Sequence, residues 1–572
     1  MGYFNGMLFR SGFWVLLLAA SGVWVAGCRV AQPRDTPVRS PEPAVRGARQ
    51  EPAASDSSEE ALTEAHAHYA TGVIDELEGE PEQALREYFQ AALEDHGDET
   101  LALEVSRRFL QANQWEKAME VLARTAARSD ASGALYSHLA FVYSKLGKTD
   151  LAAKASRIAI KKDPRSLAGY ENLFSSYLHN TQVQRALSVL DEAAGVPGTD
   201  AAFLIGLSEL YSSLGLQIPD QKQAATARAV ELLERAEGLN PEDPELRLKL
   251  ADGFNLLGKD DEAARIYLAV LDSVPDWPLL REDIRSKLAD LYLRSEKPKL
   301  AAEQLEAVVR ENPTDARSYY ALGSIAYDGK QFGKAAEYFS KVLLLEPEHE
   351  RVYYELADSQ ISEDKNSQAL ETIDRARGKF PQSFFMEYLS GIACSGLKDY
   401  TNAFSHFNDA EVIAQARETN QLTREFYFQF GATCERKGDY PDAEKYFEKC
   451  IELSPDFSEA LNYLGFMWAD RGEKLDRARE LIEKAVRLEP RNAAYLDSMG
   501  WVLFKLGQPK QALDCILKAI EYSEEGDPTL YDHLGDIYAA LGQTDKAHAA
   551  WGKSLALEPN EQVRRKAGSA GK

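Results

Sequence analysis

The sequence predicts an all-α fold, a superhelical solenoid of about 14 helix-turn-helix repeats, on three observations. A small residue recurs at Gly72, Ser106, Ala140, Ser208, Ala251, Ala289, Gly323, Ala357, Gly391, Gly431, Gly465, Gly500 and Gly535, mostly 34 or 35 residues apart, with Phe174 as the one large member of the series. An alanine follows each marker, twelve residues on in most copies: Ala84, Ala118, Ala152, Ala186, Ala229, Ala263, Ala301, Ala335, Ala369, Ala403, Ala443, Ala478, Ala512 and Ala547. Prolines such as Pro164, Pro241, Pro313, Pro347, Pro455 and Pro490 then close the unit. Small residues let two helix backbones approach closely, and proline cannot continue a helix.

Taken in chain order, residues 1–27 carry one charged side chain, Arg10, followed by FWVLLLAA and a small-residue stretch ending in AGC. This apolar run is too short to span a bilayer comfortably and reads as a secretory signal peptide. Its end, Val25-Ala26-Gly27-Cys28, resembles the lipobox of bacterial lipoproteins. The resemblance implies cleavage before Cys28 and lipidation of its sulfur, so the membrane is met through an N-terminal lipid. Arg29 after the cysteine is similar to lipoproteins sorted to the outer membrane, which implies a chain facing the periplasm. Residues 28–60 are rich in Pro, Arg and Ser with almost no large apolar side chain, and predict a disordered tether.

The repeats are expected over residues 61–560. The clearest copy, DARSYYALGSIAYDGKQFGKAAEYFSKVLLLEPEH at 315–349, resembles the tetratricopeptide repeat of 34 residues. Three intervals are longer: 43 residues from Ser208 to Ala251, 38 from Ala251 to Ala289, and 40 from Gly391 to Gly431. Longer helices or longer turns are both open there. Residues 561–572 are expected to form a flexible basic tail.

The family resemblance implies a concave face lined by one side of each first helix, suited to an extended peptide or a partner helix. Projected onto this chain, it places Tyr320, Tyr327, Tyr354, Phe385, Tyr388, Phe428, Phe466, Trp501 and Phe504 along that face as candidate partner-binding residues. These rings are expected to be surplus to the repeat's own packing, with Asp290, Arg294, Arg317, Arg351 and Asp358 beside them. The carboxylate clamp of chaperone cofactors and the Asn ladder of sugar-transferring relatives are both missing.

Composition narrows the function. The chain has 66 Lys+Arg against 91 Asp+Glu, a net charge of −25, which would repel a phosphate backbone; nucleic acid is not an expected partner. There is no HExxH, and the repeats leave no span for a catalytic domain. No enzyme activity, metal or cofactor is expected. His66 and His68 make one HxH pair, more simply a chance of helix spacing. Cys434 and Cys450 allow a disulfide, although packed free thiols are the simpler expectation.

The C-terminal block, with Leu496-Asp497-Ser498-Met499-Gly500-Trp501 and His533-Leu534-Gly535-Asp536, resembles bacterial envelope tetratricopeptide lipoproteins. Some of these are outer-membrane adaptors that recruit a carboxyl-terminal processing protease. The resemblance implies a scaffold whose partners are envelope proteins, a periplasmic protease among them. A fixed subunit of an outer-membrane assembly machine is the alternative.

Overall fold

The computed structural model describes residues 56–417, 419–523 and 526–569, so the signal-peptide, Cys28 and most of the linker expectations lie outside the described residues. Within them the chain is all-helical: fourteen helical hairpins run from Asp56–Glu78 with Pro81–Glu94 to Pro528–Ala540 with Thr544–Leu557, and a single helix, Glu561–Ser569, follows. They fall into two compact units, one ending at Gln304 and the other beginning at Leu305. Each unit is a stack of hairpins with its own buried core.

First helices start where a short polar side chain can accept a free backbone N–H. Asp98, Ser132, Asp200, Asp243, Asp315, Ser383, Thr423, Asn492 and Asp527 all do so. Most turns into the second helix hold one residue in the left-handed region. Gly147 and Gly507 take it without cost, whereas Lys330, Asp364 and Lys398 adopt it as non-glycine residues.

The marker residues pack as their size requires. A Cβ placed on Gly323 would lie 2.7 Å from Phe339 Cε1, one on Gly431 2.9 Å from Phe447 Cδ1, and one on Gly500 2.6 Å from Ile516 Cδ1. A first-helix glycine thus makes room for a bulky side chain of the second helix. All fourteen second-helix alanines are buried. Phe174 is buried as well, in the hairpin whose corresponding second-helix residue is the smaller Leu190.

The long intervals lengthen helices. Ala201–Gln217 and Lys222–Gly238 each run to 17 residues with a 3-10 turn, Pro219–Gln221, between them. Helix Pro278–Arg294 has 17 residues and Tyr400–Arg417 has 18.

Two boundaries need correction. Helix begins at Asp56, inside the stretch expected to be linker. Residues 561–569, expected as a flexible tail, form a helix instead. Asn560 Oδ1 accepts the backbone N–H groups of Gln562 and Val563 at 2.9 and 3.3 Å, and Val563 packs on Ala547 and Trp551. The last hairpin would otherwise leave an apolar face to water, and this helix covers it.

Cys434 and Cys450 are separate buried thiols, both pushed up to about 12 by burial; Cys450 Sγ donates to the Arg424 carbonyl at 3.1 Å. Among the described residues no helix is long and apolar enough to cross a membrane.

Candidate partner-binding face

Within each unit the first helices of successive hairpins lie side by side, so residues three and four apart on each form a row crossing from hairpin to hairpin. This is where the nine candidate rings were expected to stand free. None is exposed: Tyr354, Tyr388, Phe428 and Trp501 are buried, and Tyr320, Tyr327, Phe385, Phe466 and Phe504 are half-buried. The expectation that they are surplus to packing does not hold, because all nine belong to the hydrophobic core or pack against it.

Tyr388, 4% exposed, lies parallel to Phe384 at 5.5 Å and against Phe407 and Phe426 at 6.0 and 5.9 Å. Phe428 meets Phe457 and Tyr463 at 5.5 and 5.2 Å. These two belong to the core. Tyr354 donates to Glu350 Oε1 at 2.6 Å, shares a hydrogen bond with Ser383 Oγ at 2.8 Å, and tilts against Phe385. Tyr320 stacks on His349 and donates to Glu355 Oε1 at 2.8 Å. In the last repeats Trp501 stacks between Phe504 at 5.3 Å and His533 at 4.0 Å, and its Nε1 donates to Asp470 Oδ1 at 3.2 Å. Phe466 is 6.3 Å from the same imidazole. Half-buried rings therefore remain at Tyr320, Tyr327 and Phe385, while Phe466 and Phe504 form one patch joined through His533 and Trp501.

Polar rungs link the same row. Lys287 Nζ donates to both oxygens of Asp252, one first helix back, at 2.9 and 3.0 Å. Tyr69 donates to Glu104 Oε1 at 3.0 Å, and Asn172 Nδ2 to the Ser137 carbonyl at 2.9 Å. His533 Nδ1 lies 2.8 Å from Asp497 Oδ1. His68, half of the HxH pair, is not a rung: it lies 2.6 Å from Glu87 Oε2 on the second helix of its own hairpin. Sequence reasoning missed this ladder, whose signal is donor and acceptor types about one repeat apart.

The rungs leave one unusual place. On helix Glu350–Ser362, burial pushes Asp358 up to about 6, against the hydrogen bond it receives from Tyr327. Burial raises Glu355 too, against the pull of Arg351, whose Nε donates to Glu355 Oε1 at 2.7 Å. On the next first helix, Glu387 is held below the usual range despite its burial. His406 Nδ1 stands 2.6 Å from Glu387 Oε2, and Arg377 Nη2 donates to Oε1 at 3.1 Å.

Models of the tetratricopeptide repeat match residues 222–278, 286–348 and 435–493, with further repeat models over 384–456, 326–384 and 493–525. A TPR repeat-containing protein of Pseudomonas aeruginosa is 27% identical over 222 residues, 38% of this chain and 36% of that protein. One from Bacillus subtilis is 20% identical over 386 residues, covering 64% of this chain and 85% of its own length. The match spans only about a third of the first curated relatives. Among solved structures, the APC/C hetero-tetramer Cut9-Hcn1 aligns over 82% of this chain and 95% of its own, at 16% identity and a TM-score of 0.38.

Proposed function

Because this is a tetratricopeptide-repeat protein, we propose that it is a non-enzymatic scaffold of the bacterial envelope, holding protein partners on the face built by its first helices. The observation that carries the reading is the half-buried patch of Phe466 and Phe504, joined through His533 and Trp501 from neighbouring repeats, with the half-buried rings of Tyr320, Tyr327 and Phe385 on earlier first helices. Rings fixed in this way offer contact area at little entropic cost on binding. In the same reading Cys28 is lipidated, the chain sits on the outer membrane facing the periplasm, and its clients are envelope proteins, a processing protease among them. The support for that address is the VWVAGC stretch, and a tether would raise the effective concentration of partners near the bilayer.

Affinity capture from envelope extracts, with the chain from residue 29 onward, tests the scaffold. The double variant Phe466→Ala/Phe504→Ala is the matched control. Loss of a captured protein from the variant is the expected result; the same proteins captured by both forms would move the contacts elsewhere. Incorporation of labelled palmitate, lost in Cys28→Ala, tests the anchor.

A further inference from the structure

Carboxylates on the first-helix row are answered by a lysine in two places. Asp252 receives Lys287 from the following first helix. Asp532 and Asp536 receive Lys566 from the terminal helix, which stands where a further repeat would begin, at 2.9 and 2.7 Å. At Asp358 the pattern breaks. The following first helix is FFMEYLSGIACSG, Phe384–Gly396, and contains no base.

Unmet hydrogen-bonding capacity collects there. Glu355 Oε2 and Tyr388 Oη are both buried without a hydrogen-bond partner. Asp358 itself is 8% exposed and Tyr388 4%. Buried polar atoms left unpaired are costly and rare, so two beside one buried carboxylate call for a missing group. That group must donate: Glu355 Oε2 can only accept when ionised, Tyr388 Oη can accept, and Asp358 has a lone pair beyond the one Tyr327 uses. It should also be cationic, since two carboxylates face it.

We propose that Glu355, Asp358 and Tyr388 form a receptor for one basic side chain, arginine or lysine, of a partner polypeptide. The proposal rests on the partner-binding reading of this face and names the chemistry that the face selects. Its internal models are the two lysines that already fill the corresponding acidic places. A guanidinium or ammonium brings several N–H donors on one cation, whereas a neutral amide brings no charge and an anion is repelled. Entry is past Arg351, whose side chain is 39% exposed against 13% for Glu355, and which holds only Oε1 of that carboxylate. The net charge of −25 draws basic segments toward the chain.

The test titrates the full chain with fluorescein-labelled Gly/Ser decapeptides carrying one central arginine, lysine, citrulline or glutamate, read by anisotropy. Arginine and lysine peptides are expected to bind at least about tenfold more tightly than the citrulline peptide, the scale of a charge-assisted hydrogen bond in a buried site. Asp358→Asn and Glu355→Gln should abolish that difference. Tyr388→Phe, which keeps the ring, should weaken the arginine peptide by about threefold. Asp532→Asn, at the pair Lys566 already fills, should leave the difference intact. Thermal unfolding of each variant verifies its fold. Equal affinity for arginine and citrulline, no binding by any peptide, or a preference that survives Asp358→Asn would each overturn the proposal. If arginine and citrulline peptides bind equally and Phe466→Ala/Phe504→Ala weakens both, the partner-binding face stands and only the basic receptor fails.

Discussion

Asp358 and Asp536 stand at equivalent places on two first helices of the C-terminal unit, and their surroundings set them apart. Asp536 has Lys566 Nζ at 2.7 Å, an ammonium whose own pKa is raised by its two aspartates against the cost of burial. Asp358 has the Tyr327 hydroxyl and an unpaired Tyr388 hydroxyl nearby, and its carboxyl is pushed up to about 6. Glu387, one helix further on, is as buried as Asp358 but is held below the usual range by His406 and Arg377. Burial alone therefore does not decide whether a carboxylate on this face is stable. What decides it is whether a base reaches it from an adjacent helix.

The largest way to break the comparison is to remove the ring that walls the Asp358 site. Tyr388→Ala empties a place among Phe384, Phe407 and Phe426 and should cost about 3–5 kcal/mol in urea unfolding. A cost below 1 kcal/mol would mean that this ring is not part of the core.

Asp358→Asn should act in the opposite direction. A carboxyl whose folded pKa lies above its unfolded value loses stability as pH rises, because the unfolded chain releases its proton first. The penalty is absent below the ordinary aspartate value of 3.8 and complete above about 6. The variant should therefore gain about 2–3 kcal/mol at pH 7.5 and little at pH 4. A variant that is less stable at both values would show that Asp358 is paired in a way its surroundings do not reveal.

His406 sharpens the contrast from the paired side. The Cys394 thiol and the Glu387 carboxylate raise it to about 9 from 6.5, so its contribution is fully present below pH 6.5 and is lost as pH rises through 9. The stability difference between the wild type and His406→Gln should shrink by about 2 kcal/mol over that window. A difference that does not change with pH would remove the ion pair from the account.

Lys566→Met leaves two aspartates facing each other at the terminal helix. Because that lysine is partly open to solvent, about 1 kcal/mol is expected, read as faster amide exchange in Glu561–Ser569. Unchanged exchange there would mean that Val563 holds the helix without the charge. Tyr388→Phe is the smallest change, within about 1 kcal/mol of neutral, because it deletes a hydroxyl that has no partner and keeps the ring. A larger loss would show that the hydroxyl is bonded.

Much of the architecture was legible in the residues. Gly323 and Phe339, or Gly500 and Ile516, meet within one hairpin, so the size rule that brings them together repeats along the chain. The N-cap residues Asp98, Ser132 and Asp315 act within their own first turn. The terminal helix was missed although its signals were present: Asn560 as a cap, and Val563 with Ala567 spaced to face one side. Its charged residues suggested a free tail, and only the uncovered face of the last hairpin gave it a reason to fold.

The candidate face was less legible. Tyr320, Tyr354 and Tyr388 occupy matching places in their repeats, yet Tyr320 is half-buried with a hydroxyl bonded to Glu355, and Tyr388 packs its ring in an aromatic cluster with a hydroxyl bonded to nothing. The difference lies in Phe384 and Phe426, which come from separate helices, since Tyr320 has Phe339 at 5.9 Å where Tyr388 has Phe407. Asp358 was named only as a flanking charge, and Glu355 was not among the candidate binding residues.

The sequence by itself determined the hairpins, their number and their register, because the contacts that specify them lie within one repeat and recur in every copy. Only the tertiary structure decided which rings are covered, which carboxylates are paired and where a base is missing. Those properties depend on residues one repeat apart or more, brought together by stacking, and a pattern that repeats along the chain does not record which neighbour each copy meets.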